Sequence, residues 1–213
     1  MNKPLLVTGP DISVRSAFAL AQEIFPQRRI ELLQTPVEDY YRFDLTGLAG
    51  FSAEEWEVAV AVNEFFINDV RRAFHEAIIA LGYHEVSLIS PCASVDESVE
   101  IGEGAILYAG VFVGAGSHIG HHAVLRPNVF VGEEVEIGNY VTLEANVAIR
   151  ELSYIGHFTT VCANSSLLRS TRVGEHCYLN LMRQYSGVIQ DATFYSPIFE
   201  NPIRFFSSSK VVT

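Results

Sequence analysis

The chain has 213 residues, 49% of them apolar, and carries a formal net charge of −11 at pH 7. That suits one large or two small domains with ample core, and the acid excess argues against nucleic acid or an anionic membrane surface as partner. No run approaches the roughly 18 apolar residues of a spanning helix. The first residues, MNKPLLVTG, lack the apolar stretch and cleavage site of a secretory signal, so a cytoplasmic location is expected.

Residues 1–88 read as a small α/β domain. PLLVTG is a short apolar strand ending in Gly9, and DISVRSAFALAQEIF follows with helical spacing at Val14, Phe18, Ala21 and Phe25. Asp11 or Ser13 is placed to cap that helix. RIELL is a second strand. Residues 35–57 are polar and irregular, with Ser52 and Glu55 spaced as a capping box. VAVAV (58–62) reads as a buried strand. Asn68 then stands where a cap opens a helix with Val70, Phe74, Ala77, Ile78 and Leu81 on one face, ended by Gly82. EVSLI (85–89) is a last strand. Strands alternating with helices predict a parallel, Rossmann-like sheet.

From Ile89 to Leu179 an aliphatic residue recurs at every sixth position, beginning Ile89, Val95, Ile101, Leu107 and Val113. Two residues before each one, from Val95 on, sits a small or β-branched residue such as Ala93, Ala105, Ser117 or Cys177. Side chains two apart point the same way along a strand, and a sustained period of six is the signature of a parallel β-helix. Glycine follows every third aliphatic residue, at Gly102, Gly120, Gly138, Gly156 and Gly174. Three hexads therefore make one triangular coil of eighteen residues. Residues i and i+18 should stack about 4.8 Å apart. A corner that turns sharply, or lies close to the next, favours a residue without Cβ. Tyr185 keeps the step, which sets the solenoid at 89–185. Residues 186–213 show no fixed period and are expected to be an irregular cap over the strand edges.

Cys92, Cys162 and Cys177 show no metal-ligand spacing and cannot all pair; Cys177 falls on an inward position, as a packed thiol would. His121 and His157 share one corner two coils apart, about 10 Å, too far to reach one zinc with bonds of roughly 2.0–2.1 Å. His118, Glu136, Tyr154 and Arg172 stack as a solvated ladder, and His176 is expected at the surface. Sharing His121 and His122 with a histidine from another copy is the remaining route to a metal, and no metal is assigned.

A small Rossmann-like domain, a strand running into SLISPCASV, and a hexapeptide solenoid together resemble the bacterial sugar O/N-acyltransferases of the sialic-acid O-acetyltransferase and bacillosamine N-acetyltransferase type. The resemblance implies a left-handed β-helix working as a homotrimer. It implies acyl transfer from acetyl-CoA to an amino or hydroxyl group of a nucleotide-linked sugar. The N-terminal domain would hold the nucleotide, and the groove between neighbouring solenoids the thioester. Carried over by position, the nucleotide loop is TGPDIS with Gly9, and the Gly-Asn before the second helix is Asn68-Asp69 with Arg71. The family's catalytic histidine falls on Glu133 in VGEEVEIG, and a second histidine falls on Thr142. Gln34-Thr35 stands where the family has an acidic pair, and ENPIR (200–204) where it has Gly-x-Pro-Ala-Lys.

Glu133 and Glu151 are eighteen apart, hence stacked, with Arg169 one coil further. Two carboxylates that close cannot both ionise freely, so one should hold its proton to a higher pH and be suited to general-base work. The plainer reading pairs Glu151 with Arg169 and hydrates Glu133. Arg126 and Glu144 form another stacked pair, read as structural. Two functions stay open: an acyl-CoA-dependent sugar transferase with an altered base, or an inert trimeric solenoid serving as a binding or regulatory module.

Overall fold

A computed structural model describes residues 3–39, 41–64 and 68–205. The first part is a four-stranded parallel sheet of order β2-β1-β5-β6. Its strands are β1 (Leu5–Gly9), β2 (Ile30–Gln34), β5 (Glu57–Val60) and β6 (His84–Glu85), and a short hairpin of β3 (Val37–Asp39) and β4 (Arg42–Phe43) stands apart. Strand β1 is buried on both faces, as a central parallel strand must be. Leu5 and Val7 pack with Val14, Ala17 and Leu20 of α1 (Ser13–Ile24). Leu6 packs on the other side with Phe74 and Ile78 of α2 (Asp69–Ala80). The N-cap of α1 is Ile12, without a side-chain cap bond; Asp11, one residue earlier, forms a local turn, its Oδ1 accepting from Ser13 N at 2.7 Å. Ser52 and Glu55 form a turn, Glu55 N donating to Ser52 O, and no capping box. Leu81, expected on the buried face of α2, is exposed beyond the helix end.

From Leu88 the chain winds as a parallel β-solenoid with three ladders. Ladder I stacks Leu88–Ile89, Ile106–Leu107, Val124–Leu125, Thr142–Leu143, Thr160–Val161 and Tyr178–Leu179. Ladder II runs from Ser94–Val95 to Gln184–Tyr185, and ladder III from Glu100–Ile101 to Val188–Ile189. Register is i to i+18 up to Tyr185, as in Ile119↔Ile137 and Leu125↔Leu143. The expected column Ile101, Ile119, Ile137, Ile155 and Val173 lines the core, with Ile101 at the partly buried end. Inward hydroxyls satisfy corner backbone: Ser117 Oγ donates to Gly132 O at 2.8 Å and accepts from Val135 N at 3.0 Å.

The corner glycines answer to crowding. A Cβ on Gly120 would lie 2.5 Å from the carbonyl carbon of Gly138 in the next coil, while its φ is ordinary. Left-handed residues sit two places later in the hexad, at Gly104, Gly110, Gly116, His122, Asn128 and every sixth residue to His176. Cys162 and Cys177 are buried free thiols, and Cys92 is exposed.

The ladders do not stop at residue 185. Val188–Ile189 pairs with Arg172–Val173, and Thr193–Tyr195 with Tyr178–Leu179, both sixteen residues on. The last coil is two residues short, with Gly187 at φ +75° in the tightened corner. A period-six reading loses the pattern there although the backbone pairing continues. Ile203–Arg204 then closes the end, antiparallel to Thr193–Tyr195.

Ile137→Asp removes roughly 1.5–3 kcal/mol of burial and puts a carboxyl into the apolar column. Its urea midpoint should fall well below that of the parent. An Ala at the outward, exposed Glu136 should stay within about 0.5 kcal/mol of the parent; equal midpoints for the two variants would refute the inward assignment.

Candidate functional site

In an open parallel sheet, ligands bind outside the carboxyl ends of strands where the strand order reverses. Here that point lies between β1 and β5, since the chain leaves β1 for β2 on one side and later returns to β5 on the other. The two loops there are tied together: Asp11 Oδ2 accepts from Asn63 N at 3.0 Å. Gly9 permits that closeness, because a Cβ on it would lie 1.8 Å from Ala61 O. Its role visible in this chain is loop packing. Thr35, in place of one acidic residue of the resembled family, is buried and bonds Thr8 side chain to side chain at 2.9 Å.

The solenoid corner after ladder I faces these loops with Tyr108, Arg126, Glu144 and Cys162. Arg126 reaches Glu64 at 3.6 Å and lies over the Tyr108 ring at 5.4 Å. Tyr108 Oη meets Ser16 Oγ of α1 at 3.2 Å. Arg126 thus pairs across the domain boundary with Glu64, and Glu144 takes Ala163 N at 3.0 Å instead. Burial raises the Glu144 pKa above its ordinary 4.5; the Ala163 hydrogen bond and Arg126 pull it down, and Glu64 pushes it further up. Glu144 is therefore a carboxyl that holds a proton more tightly than usual beside a fixed cation. Burial also raises the Cys162 thiol, which disfavours the thiolate a nucleophile needs.

Asn68, Arg71 and Thr142 do come together, in a buried network. Arg71 is only 2% exposed. Its Nε donates to Val62 O at 3.1 Å, Nη1 to His122 O at 3.0 Å, and Nη2 to Asn68 Oδ1 at 2.9 Å and Thr142 Oγ1 at 2.6 Å. Asn68 makes no side-chain cap on α2; it sits at φ 64°. Its Nδ2 donates to Thr160 Oγ1 at 3.0 Å, and its Oδ1 also accepts from Thr142 Oγ1 at 2.9 Å. Burial lowers the Arg71 pKa to about 10, with Glu64 opposing the shift, so the group stays charged at neutral pH. These three side chains join the α/β unit to ladder I and present no free polar face to a ligand.

Glu133 and Glu151 lie on another corner, after ladder II. Both line an open groove of about 680 Å³ with Phe112 and Phe130, whose exposed rings stack at 5.2 Å. The expected raised carboxyl is not found at Glu151. Its pKa is lowered, first by its own backbone N–H, then by Arg150 and more weakly by Arg169. Within one chain this corner and the β1–β5 crevice are on different edges of the solenoid.

The histidines divide cleanly. Glu103 N donates to His121 Nδ1 at 3.0 Å and Asn139 N to His157 Nδ1 at 2.8 Å, so both rings cap backbone of the adjoining coil. His118 is exposed in its expected ladder, where Arg172 lies over Tyr154 at 5.1 Å. His176, partly exposed, ends a stack of His122, Tyr140, Phe158 and His176 with successive centroids 4.8, 5.1 and 4.7 Å apart. His122 also gathers with His75 and Glu85, a group that hexad spacing cannot reveal because two members lie outside the repeat. Burial works to raise the Glu85 pKa, but hydrogen bonds from His122 and His75, with their charges, hold it below its ordinary value.

These features define the class: a parallel β-solenoid of the hexapeptide-repeat kind, docked through one ladder onto a small parallel α/β unit. No protein-family model matches the chain, and no curated protein does. Among solved structures, it is similar to the acetyltransferase domain of PglB from Neisseria gonorrhoeae in complex with acetyl coenzyme A. The TM-score is 0.77 at 21% identity over 91% of this chain and 96% of that one. PerB from Caulobacter crescentus, in complex with CoA and GDP-perosamine, matches at TM-score 0.77 and 18% identity over 91% and 94%. WeeI from Acinetobacter baumannii matches at 0.62 and 17%, over 91% and 96%. The likeness covers both parts of the chain and establishes the fold.

Arg71→Met leaves several buried acceptors unpaired, each at about 1–3 kcal/mol. Its denaturation midpoint should fall by far more than that of Arg72→Met at the exposed neighbour. Equal midpoints would remove Arg71 from the docking of the two parts.

Proposed function

We propose that this protein is an acetyl-CoA-dependent transferase that acetylates an amino or hydroxyl group of a nucleotide-linked sugar, acting in the cytoplasm as a homotrimer. The observation that carries the reading is the reversal of strand order between β1 and β5, with the solenoid corner of Tyr108, Arg126 and Glu144 turned toward that side through Arg126–Glu64 and Tyr108–Ser16. Support comes from the fold shared with proteins that hold acetyl coenzyme A, or CoA with GDP-perosamine. On this reading residues 1–88 form the Rossmann-like nucleotide domain, with Gly9 and Asp11 shaping the loop over the nucleotide. Residues 89–185 form the body of a left-handed β-helix. The thioester lies in a groove between neighbouring copies, where the exposed Phe112 and Phe130 offer an apolar wall. Three free cysteines suit a reducing compartment.

The chemistry asks for three things. The sugar nucleophile attacks the thioester carbonyl and gives up a proton, the oxyanion needs a donor, and the CoA sulfur leaves with a proton. Two carboxylates compete for the first role. Glu133 has the family position, but it is exposed and lies beside an acidified Glu151. Glu144 has a raised pKa from burial and lies in the crevice side of the solenoid. Glu144 then takes the proton, with Arg126 and Glu64 fixing its surroundings and Asn68, Arg71 and Thr142 as positioning residues behind it.

The direct test is calorimetric binding of acetyl-CoA, followed by a panel of nucleotide-linked amino and hydroxy sugars scored for CoA thiol release and acetylated product. Binding and turnover are expected. Neither would be seen if the chain is an inert solenoid that serves as a binding or regulatory module. Glu144→Gln should retain acetyl-CoA binding and lose on the order of 10²–10⁴ in turnover, whereas Glu133→Gln should stay near the parent; the reverse result would hand the role to Glu133. Because the base must be ionised, activity should rise with pH through an acid limb above the ordinary carboxyl value of 4.5. That limb should vanish in Glu144→Gln.

A further inference from the structure

At the seam between α2, β6 and the solenoid, three donors converge from three separate elements. His75 comes from α2, Glu85 from β6, and His122 from the corner between ladders III and I; one ligand atom from each lies within 4.8 Å of the others. His75 Nδ1 is 2.6 Å from Glu85 Oε2, and His122 Nδ1 is 3.5 Å from Glu85 Oε1. Their side chains are 19%, 5% and 8% exposed, respectively for His75, Glu85 and His122.

Two independent observations point beyond mutual pairing. Glu85 Oε1 is buried and, among the described residues, has no donor closer than His122 Nδ1 at 3.5 Å, too long for a well-formed hydrogen bond, and an unsatisfied buried oxygen is costly, more so when charged. Gly104 keeps space at the same two atoms: a Cβ there would lie 2.3 Å from His122 Nδ1 and 2.8 Å from Glu85 Oε1. Any other residue would crowd the donors, and its φ of +68° favours glycine as well.

We propose that His75, Glu85 and His122 bind one divalent cation of the zinc class, with a further coordination position open to the pocket beside them. Two imidazoles and a carboxylate suit zinc, whereas magnesium and calcium prefer oxygen alone. Bonds of roughly 2.0–2.1 Å in a tetrahedron set donors about 3.4 Å apart. The 3.5 Å between His122 Nδ1 and Glu85 Oε1 already matches that spacing. His75 Nδ1, on the less buried side, makes a 2.6 Å hydrogen bond to Glu85 Oε2, the bond that a bound ion would replace. Tyr140, stacked on His122 at 4.8 Å, holds that ring in plane. The pocket beside the cluster is lined by Glu103, His121, Asn139 and Tyr140, so the fourth position is polar and reachable. Since His75 and Glu85 belong to the α/β unit and His122 to the solenoid, the ion ties together the two parts that Arg71 also joins.

The test uses the full chain, stripped with a chelator and titrated with zinc against a chromophoric competitor, then with cobalt(II) as a spectroscopic probe. One ion per chain is expected, with visible cobalt bands of tetrahedral intensity and a higher melting midpoint when loaded. His75→Asn and Glu85→Gln should each weaken binding by more than about 100-fold, beyond the 10–100-fold usual for outer-shell partners. His84→Asn, at an exposed neighbouring histidine, should bind as the parent does. Comparing metal-free melting midpoints separates loss of a ligand from loss of fold, and His75, being partly exposed, is the safer variant. Substoichiometric zinc in the parent, or full affinity in His75→Asn, would overturn the proposal and leave only surface histidine binding. The readout is the metal alone, so transferase activity has no part in the outcome.

Discussion

The second part of this chain, up to Tyr185, rests on one constraint, the pairing of each strand residue with the one eighteen places on. The constraint makes the solenoid a set of columns. Inward columns are aliphatic because no water reaches them, and the hydroxyls among them are admitted only where they bond corner backbone, as Ser117 does. Outward columns differ by ladder. On ladder I they read Leu88, Ile106 and Val124, then Thr142 and Thr160; on ladder III they are His118, Glu136, Tyr154 and Arg172. The first set is covered by α1 and by the Asn68–Arg71 network, and the second faces solvent. A single register therefore decides which face docks the α/β unit.

That docking places the functional groups. Arg71 is a cation out of water, held by two backbone carbonyls and two side chains. Buried polar networks of this kind tolerate little displacement, because each lost bond leaves an unsatisfied partner. The β1–β5 loops are thereby held against the corner of Tyr108, Arg126 and Glu144. On the other edge of the same face, α2 brings His75 against His122.

Much of the fold was legible in the residues, because a strict six-residue period admits few alternatives. The inward column at Ile119, Ile137 and Ile155 is where the period puts it. The site was less legible, for a reason visible at Glu144 and Glu151. Stacking brings two charges close, but burial and local donors decide which carboxyl is perturbed. Both are partly exposed, but Glu151 is held down by its own N–H and Arg150, while burial and nearby Glu64 push Glu144 up. Spacing alone does not reveal these surroundings. Asn68 misled similarly: its type and place suit a helix cap, yet its left-handed backbone turns the side chain toward Thr142 and Thr160. His75 and Glu85 carried no repeat signal at all.

The short coil near Gly187 bears on what happens at the open end of the molecule. A solenoid with constant perimeter offers its last turn as a template, and another copy can continue the stack indefinitely. Here the final turn has lost two residues, so its outline no longer superposes on an eighteen-residue coil. The last strand is then occupied from outside by Ile203–Arg204 running the opposite way. Mismatch of perimeter and reversal of direction both make this turn a poor template for a further eighteen-residue coil.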